Sequence, residues 1–151
     1  MAEPITPEQK RQLAVDLFNE VWRMMEQPDR TAADDDRMLH AAHASRSLWG
    51  EIGRPENLAR GEWQVSRVYT VLDRGEPALH HARRCLAICT EHGIGDWDLA
   101  YAHEALARAY AVAGDGKQAL ASRRDAEAAA EQIADEHDRE HLERDLQTLP
   151  L

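Results

Sequence analysis

The sequence predicts an all-α fold of three antiparallel helix pairs stacked side by side, with a C-terminal capping helix. First, residues 67–79 resemble residues 108–120, and every aligned position is offset by 41 residues. A period of this length is typical of helical hairpins that bury their apolar faces only by stacking. Second, apolar residues recur at helical spacing between short turn signals. Third, alanine is abundant and aromatic content is 5%, which favours close helix-on-helix packing.

The first helix pair is predicted over about residues 7–53. Thr6 is placed to cap the first helix, and Gln9 three residues later completes a capping box. Thr31 and Asp34 repeat this spacing, so they predict the start of the second helix. That helix should end near the glycines at 50 and 53.

Turn and cap residues also mark where the helices of the later units begin and end. Pro55 begins the third helix, Asp96 is placed to cap the fifth, and the sixth covers about residues 117–134. No flexible linker separates these segments, so the chain is predicted to be one domain. The predicted segments are the domain 1–151, its second and third units at about 55–92 and 96–134, and the capping helix 135–147.

Two of these units carry a family resemblance. Leu106-Ala107-x-x-Tyr110, followed by Gly114 and Ala119, is similar to the Leu-small-x-x-Tyr, Gly and Ala pattern of tetratricopeptide repeats. The preceding unit matches in part, through Val65-Ser66-x-x-Tyr69 and the small residues Ala78, Ala82 and Cys85. The resemblance implies a right-handed superhelix whose first helices line a concave groove. It also implies that this groove binds a peptide or a protein.

Composition and charge exclude several classes of partner. The formal net charge is −10 at pH 7, which argues against nucleic acid and against an anionic membrane surface. The N-terminal residues lack the basic and apolar regions of a secretory signal. Cys85 and Cys89 lie four apart on a predicted helix, which is not a disulfide framework, so we expect a cytoplasmic protein.

The first candidate site is the groove. The third and fifth helices should place three arginines, two aromatic residues and one glutamate on its surface. Guanidinium groups bind carboxylates or phosphates through two parallel hydrogen bonds. The alternative is that the arginines pair with acidic residues of the chain itself, such as Glu104 or Glu62. The candidate ligand-binding residues are Arg60, Trp63, Arg67, Tyr101, Glu104 and Arg108.

The second candidate site is a histidine-based metal site. Histidines recur at similar heights on the second and fourth helices, and another lies on the fifth. Imidazole groups spaced by one helical turn could hold zinc, nickel, copper or iron. The alternative is that each histidine packs near the core and bonds to a neighbouring polar group. The candidate ligands are His40, His43, His80, His81 and His103.

Tryptophans give a further expectation. Trp49, Trp63 and Trp97 lie near helix ends, and a cluster of them would line a partly aromatic pocket. The simpler expectation is that Trp49 and Trp97 close the ends of hairpins and that Trp63 is partly exposed.

The sequence as a whole favours a non-catalytic binding or adaptor module over an enzyme, with no cofactor expected. Its partner would be a peptide, a protein segment or a small anionic ligand. The alternative function is metal binding, with an open coordination position that could make the protein a metalloenzyme. Because so short a stack leaves apolar ends, we also expect self-association into a homo-oligomer as one alternative.

Overall fold

The fold contains seven α-helices in a computed structural model that describes residues 3–151, so Met1 and Ala2 of the predicted domain lie outside it. Connections of two to five residues join successive helices, and no strand occurs within the described range. The all-α prediction is confirmed at this level. The helices are α1 (Pro7–Glu26), α2 (Ala32–Ile52), α3 (Pro55–Val71), α4 (Gly75–His92), α5 (Asp96–Val112), α6 (Gly116–Ala130) and α7 (Glu136–Gln147).

The predicted caps begin the first two helices. Thr6 accepts a hydrogen bond from the backbone N–H of Gln9, whose side chain accepts one from the Thr6 N–H. Thr31 and Asp34 make the same reciprocal pair at the start of α2. Each box satisfies two backbone donors that the first turn of a helix leaves unpaired.

Two details differ from prediction. α6 ends at Ala130 rather than near residue 134, because the chain turns there and buries Ile133 against α7. Asp96 is the first residue of α5 rather than its cap. It has a left-handed φ of 54°, and its carboxylate accepts a hydrogen bond from the Trp97 N–H.

The odd-numbered helices lie side by side and form one continuous face of the molecule. Each of α1 to α6 packs on its neighbour in the chain, and α1 also contacts α3, which contacts α5. Within residues 3–151 the backbones of α2 and α4 do not meet, nor do those of α4 and α6. α7 packs on α5 and α6. Helices α1, α3, α5 and α7 therefore adjoin one another on one side, and this packing is compatible with a helical repeat fold.

The interior is built largely from small side chains, which allow close approach between helices. Gly75 shows how close this approach is, because a Cβ atom there would lie 2.6 Å from the Cα of Ala113 at the end of α5. Gly116 occupies the equivalent position one repeat later, and a Cβ atom there would meet nothing within 4 Å. Gly75 is thus required by packing, whereas Gly116 is not.

None of the helices in the described range combines the length and the apolar character needed to cross a membrane.

Candidate functional site

A cavity of about 400 Å³ lies where α1, α3, α5 and α7 adjoin, with α4 behind it. It is lined by five of the chain's eight aromatic side chains, which include three of the four tryptophans and the only phenylalanine. Two small residues, one ion pair and two polar residues of α7 complete the lining. The lining residues are Phe18, Trp22, Ala59, Arg60, Trp63, Cys85, Trp97, Asp98, Tyr101, Asp138 and His141.

The aromatic rings form a chain along the cavity wall. Trp22 and Trp63 have ring centroids 5.2 Å apart and a tilt of 38°. Trp63 meets Tyr101 at 5.6 Å and 78°, and Tyr101 meets Trp97 at 6.3 Å and 80°. Edge-to-face contacts of this kind are favourable for aromatic pairs. Because Tyr101 lies nearly at right angles to both Trp63 and Trp97, these rings enclose the cavity from different directions.

Arg60 and Asp98 form an ion pair in the cavity wall. Nε of Arg60 lies 2.9 Å from one carboxylate oxygen of Asp98, and Nη2 lies 3.0 Å from the other. The guanidinium carbon also lies 4.4 Å from the ring centre of Trp97, which is a cation–π distance. The hydrogen bonds to Asp98 raise the pKa of Arg60. The charge of Arg60 is therefore already matched by a carboxylate and an aromatic face.

Glu104 is the centre of a buried network behind the cavity. Its carboxylate is fully buried and accepts hydrogen bonds from Arg108 at 2.8 Å and from Arg67 at 3.3 Å. The indole N–H of Trp63 approaches its other oxygen at 3.5 Å. Burial lowers the pKa of Arg67, although the charge of Glu104 opposes this effect. Two arginines thus share one buried carboxylate.

Two residues of α5 connect this network to α7. Arg108 donates hydrogen bonds to the carbonyl of Asp145 and to the hydroxyl of Thr148, at 3.0 and 2.8 Å. Both acceptors lie at the C-terminal end of α7, so Arg108 holds that end of the helix against α5. The hydroxyl of Tyr101 donates to Asp145 and is also hydrogen bonded to His141. Burial and the Asp145 bond raise the pKa of Tyr101.

The six predicted ligand-binding residues divide into two groups. Arg60, Trp63 and Tyr101 line the cavity. Glu104, Arg67 and Arg108 lie behind it and pair with each other, which is the alternative that the sequence left open for these arginines. The other acid named in that alternative, Glu62, pairs instead with Arg46 and His81.

The sequence interpretation missed the residues that α1 and α7 contribute. Phe18 and Trp22 are one helical turn apart on α1, beside the core positions Leu17 and Val21, and this i, i+4 aromatic pair was the available signal. Asp138 and His141 gave no signal, because their place in the wall depends on how α7 docks. Trp49 is buried as expected, under Arg11 rather than in the cavity. Trp97 lines the cavity instead of closing a hairpin.

The predicted histidines do not converge on one point. His43 and His81 have ring centres 5.4 Å apart, but Nε2 of His43 bonds to the Tyr69 hydroxyl at 3.0 Å. Nδ1 of His81 bonds to Glu62 at 2.6 Å. His40 and His80 are exposed. Within residues 3–151, no three histidine, cysteine or acidic side chains are grouped to hold a metal ion, so metal binding stays a prediction without support from this geometry.

The histidine region is a polar cluster between α2, α3 and α4. Burial and the neighbouring His81 lower the pKa of His43. Burial opposes ionisation of Glu62, but its hydrogen bond with His81 and the charges of His81 and Arg46 hold the pKa of Glu62 below its usual value. Burial likewise lowers the pKa of His103, which stands apart on α5. These contacts stabilise a packed, hydrogen-bonded interior.

Cys85 is the remaining reactive residue type in the cavity wall. It is a free thiol, and its interaction with Cys89 and its burial raise its pKa well above the usual range. A thiol in this state is protonated at neutral pH and is a weak nucleophile. Apart from Asp138 and His141 of α7, the cavity therefore presents apolar surface and one paired set of charges, an arrangement that suits binding.

Comparison with known proteins adds no relationship, since no protein-family model and no curated protein matches the chain. The resemblance to tetratricopeptide repeats therefore rests on the residues themselves.

Proposed function

We propose that this protein is a non-catalytic binding module that seats an apolar group of a peptide or protein segment in the aromatic cavity. The observation that carries this proposal is the convergence of five of the chain's eight aromatic side chains on one cavity. Aromatic side chains supply large apolar contact area with few rotatable bonds, so a cluster of them suits the binding of an apolar group.

The size and position of the cavity support the proposal. Its volume of about 400 Å³ falls within the range of small-ligand pockets, about 300–1,000 Å³. An apolar side chain of a bound segment fits such a space, while the rest of the segment lies along the adjoining helices. The 41-residue repeat and the adjoining α1, α3 and α5 support a tetratricopeptide-like, right-handed stack with α7 as its cap.

The charges of the site favour an apolar anchor over an anionic one. Arg60 is paired with Asp98, while Arg67 and Arg108 share Glu104. An anionic ligand would have to displace Asp98 or Glu104 from its arginine. The displaced carboxylate is buried and would then lack a compensating charge, which is unfavourable. Of the three ligand classes that the sequence allows, the small anionic ligand is therefore the least favoured.

The test uses the neutral apolar fluorophore phenylnaphthylamine as the probe of the cavity. We expect one binding site per chain and an affinity that falls by about tenfold in Trp22→Ala and in Trp63→Ala, because each loses apolar contact area. Trp49→Phe is the matched control, since Trp49 is outside the cavity lining. Thermal unfolding of each variant verifies that it is folded.

A peptide series tests the protein-segment part of the proposal. Peptides with a central Leu or Trp in a Gly/Ser background should displace the probe, whereas a central Gly should not. Failure of the folded wild-type protein to bind the probe would overturn the proposal. So would equal affinity in the wild type and both cavity variants.

A further inference from the structure

Resting on the proposed function, we infer that the aromatic cavity also binds an organic cation, an alkylated ammonium, whose alkyl groups form the apolar surface that the cavity holds. Three features of the cavity carry this inference: its ring faces, the charge balance of its wall, and a free carboxylate at its rim. The source of the group is either a modified side chain of a bound segment or a free small molecule, and the two share this chemistry.

The ring faces provide the first feature. An aromatic ring carries negative charge density on its faces, and a cation within about 6 Å of the centroid is attracted to it. The protein already uses this attraction in the cavity wall, where Arg60 lies 4.4 Å from the centre of Trp97. Within residues 3–151, no arginine or lysine lies over Trp22, Trp63 or Tyr101, so their faces are not occupied by the protein's own cations.

The charge balance of the wall provides the second feature. Asp98 neutralises Arg60 through two hydrogen bonds, so this cation does not repel a second one at full strength. Arg67 and Arg108 lie behind the cavity wall, where both are hydrogen bonded to the buried carboxylate of Glu104. The whole chain carries a net charge of −10, which raises the local concentration of cations.

Asp138 provides the third feature. It lines the cavity from α7 and is exposed, and in the described part of the chain its carboxylate is in no ion pair. A cation held against the rings would meet this carboxylate at the cavity rim. An alkylated ammonium suits the site better than a bare ammonium, because it is more weakly hydrated and its methyl groups pack on apolar walls.

The experiment compares three ligands of one shape and different charge, measured by calorimetry and by tryptophan fluorescence. Choline carries a trimethylammonium group, dimethylbutanol is its neutral carbon isostere, and dimethylbutanoate carries a carboxylate. We expect choline to bind about tenfold more tightly than dimethylbutanol, and dimethylbutanoate to bind most weakly. Equal affinity for choline and dimethylbutanol would overturn the inference, as would tightest binding of dimethylbutanoate.

Two variants test whether the preference for choline over dimethylbutanol arises in this cavity. Asp138→Asn should weaken choline several-fold and leave dimethylbutanol unchanged, and Glu140→Gln is the matched control because it removes one exposed charge from the same helix. Trp22→Leu keeps an apolar side chain, although a smaller one, and removes a ring face. It should therefore reduce the preference for choline over dimethylbutanol. A preference for choline that persists in both Asp138→Asn and Trp22→Leu would overturn the assignment to this cavity.

Peptides distinguish the source of the cation. A peptide carrying trimethyllysine is compared with the same peptide carrying lysine or norleucine. Tighter binding of the trimethyllysine peptide than of choline supports a modified side chain, while the reverse order supports a free small molecule. If phenylnaphthylamine binds and every cation fails, this inference fails and the proposed function stands. If phenylnaphthylamine and every cation fail, both fail.

Discussion

Tyr101 donates its hydroxyl hydrogen to Asp145 at 2.8 Å and so connects the wall of the aromatic cavity to the final helix. The same hydroxyl is bonded to His141, which itself lines the cavity. One side chain of α5 therefore both shapes the binding space and positions the helix that forms its rim.

Tyr101→Phe tests this connection. The variant retains the ring and loses both hydrogen bonds, one of them to a carboxylate. We expect the free energy of unfolding to fall by about 1–2 kcal/mol, measured by urea denaturation. Tyr110→Phe is the control, since within residues 3–151 its hydroxyl is hydrogen bonded only to the exposed Arg83, and it should cost less than about 0.5 kcal/mol. An equal loss in both variants would contradict the role given to Tyr101.

Glu104→Gln tests the buried network. The substitution preserves the shape of the side chain but leaves Arg67 and Arg108 without a counter-charge, and unpaired buried charges are costly. We expect a loss of about 3–5 kcal/mol. Glu127→Gln removes the exposed partner of the half-exposed Arg123 and should cost at most about 0.5 kcal/mol. A loss below about 1 kcal/mol for Glu104→Gln would show that the network is dispensable.

Gly75→Ala and Gly116→Ala form a matched pair at equivalent repeat positions. Because the added methyl of Gly75→Ala would lie 2.6 Å from the Cα of Ala113, we expect it to destabilise the fold by about 1–3 kcal/mol. Gly116→Ala meets no atom within 4 Å. It should be neutral or stabilise by up to about 1 kcal/mol, because alanine restricts the unfolded chain. Similar unfolding midpoints for the two variants would refute the packing argument.

Stability should decrease in mildly acidic solution. The pKa of His43 is lowered by burial and by His81, so the unfolded chain binds a proton at this residue at higher pH than the folded protein does. The stability that neutral His43 contributes to the folded protein is complete above pH 6.5, the ordinary pKa of histidine. It is lost as the pH falls below that value. Burial also lowers the pKa of His103, so this residue likewise makes the protein less stable as the pH falls.

The measurement is the unfolding midpoint at about pH 7.5 and at about pH 5.5, where histidine but not glutamate titrates. His43→Gln should reduce the difference between these two midpoints. His137→Gln, an exposed histidine substitution on α7, should leave it unchanged. An undiminished difference in His43→Gln would contradict the assignment.

The sequence predicts the helices well because their signals are local. The capping boxes at Thr6 and Thr31 involve residues three apart, and the repeat at 67–79 and 108–120 is visible without any structure. The end of α6 was harder to predict, since it depends on Ile133 packing against a helix that comes later in the chain.

The site was predicted only in part, for a physical reason. Trp63 and Tyr101 were found because they follow the repeat register, but their neighbours in the cavity come from distant helices. Helical spacing alone does not tell whether a charged side chain faces a ligand or another charge. Arg108 illustrates this, because its partners at the end of α7 are about 40 residues away.

The cavity also has a consequence for synthesis of the chain. Its wall joins Phe18 of α1 to His141 of α7. In a nascent chain on the ribosome, Trp97 and Tyr101 therefore lack their packing against Leu142 and Leu146 until α7 has emerged and docked. Any product cut short before α7 would present an open aromatic surface to chaperones and proteases. Binding competence and protection from quality control are thus reached together, once α7 has docked.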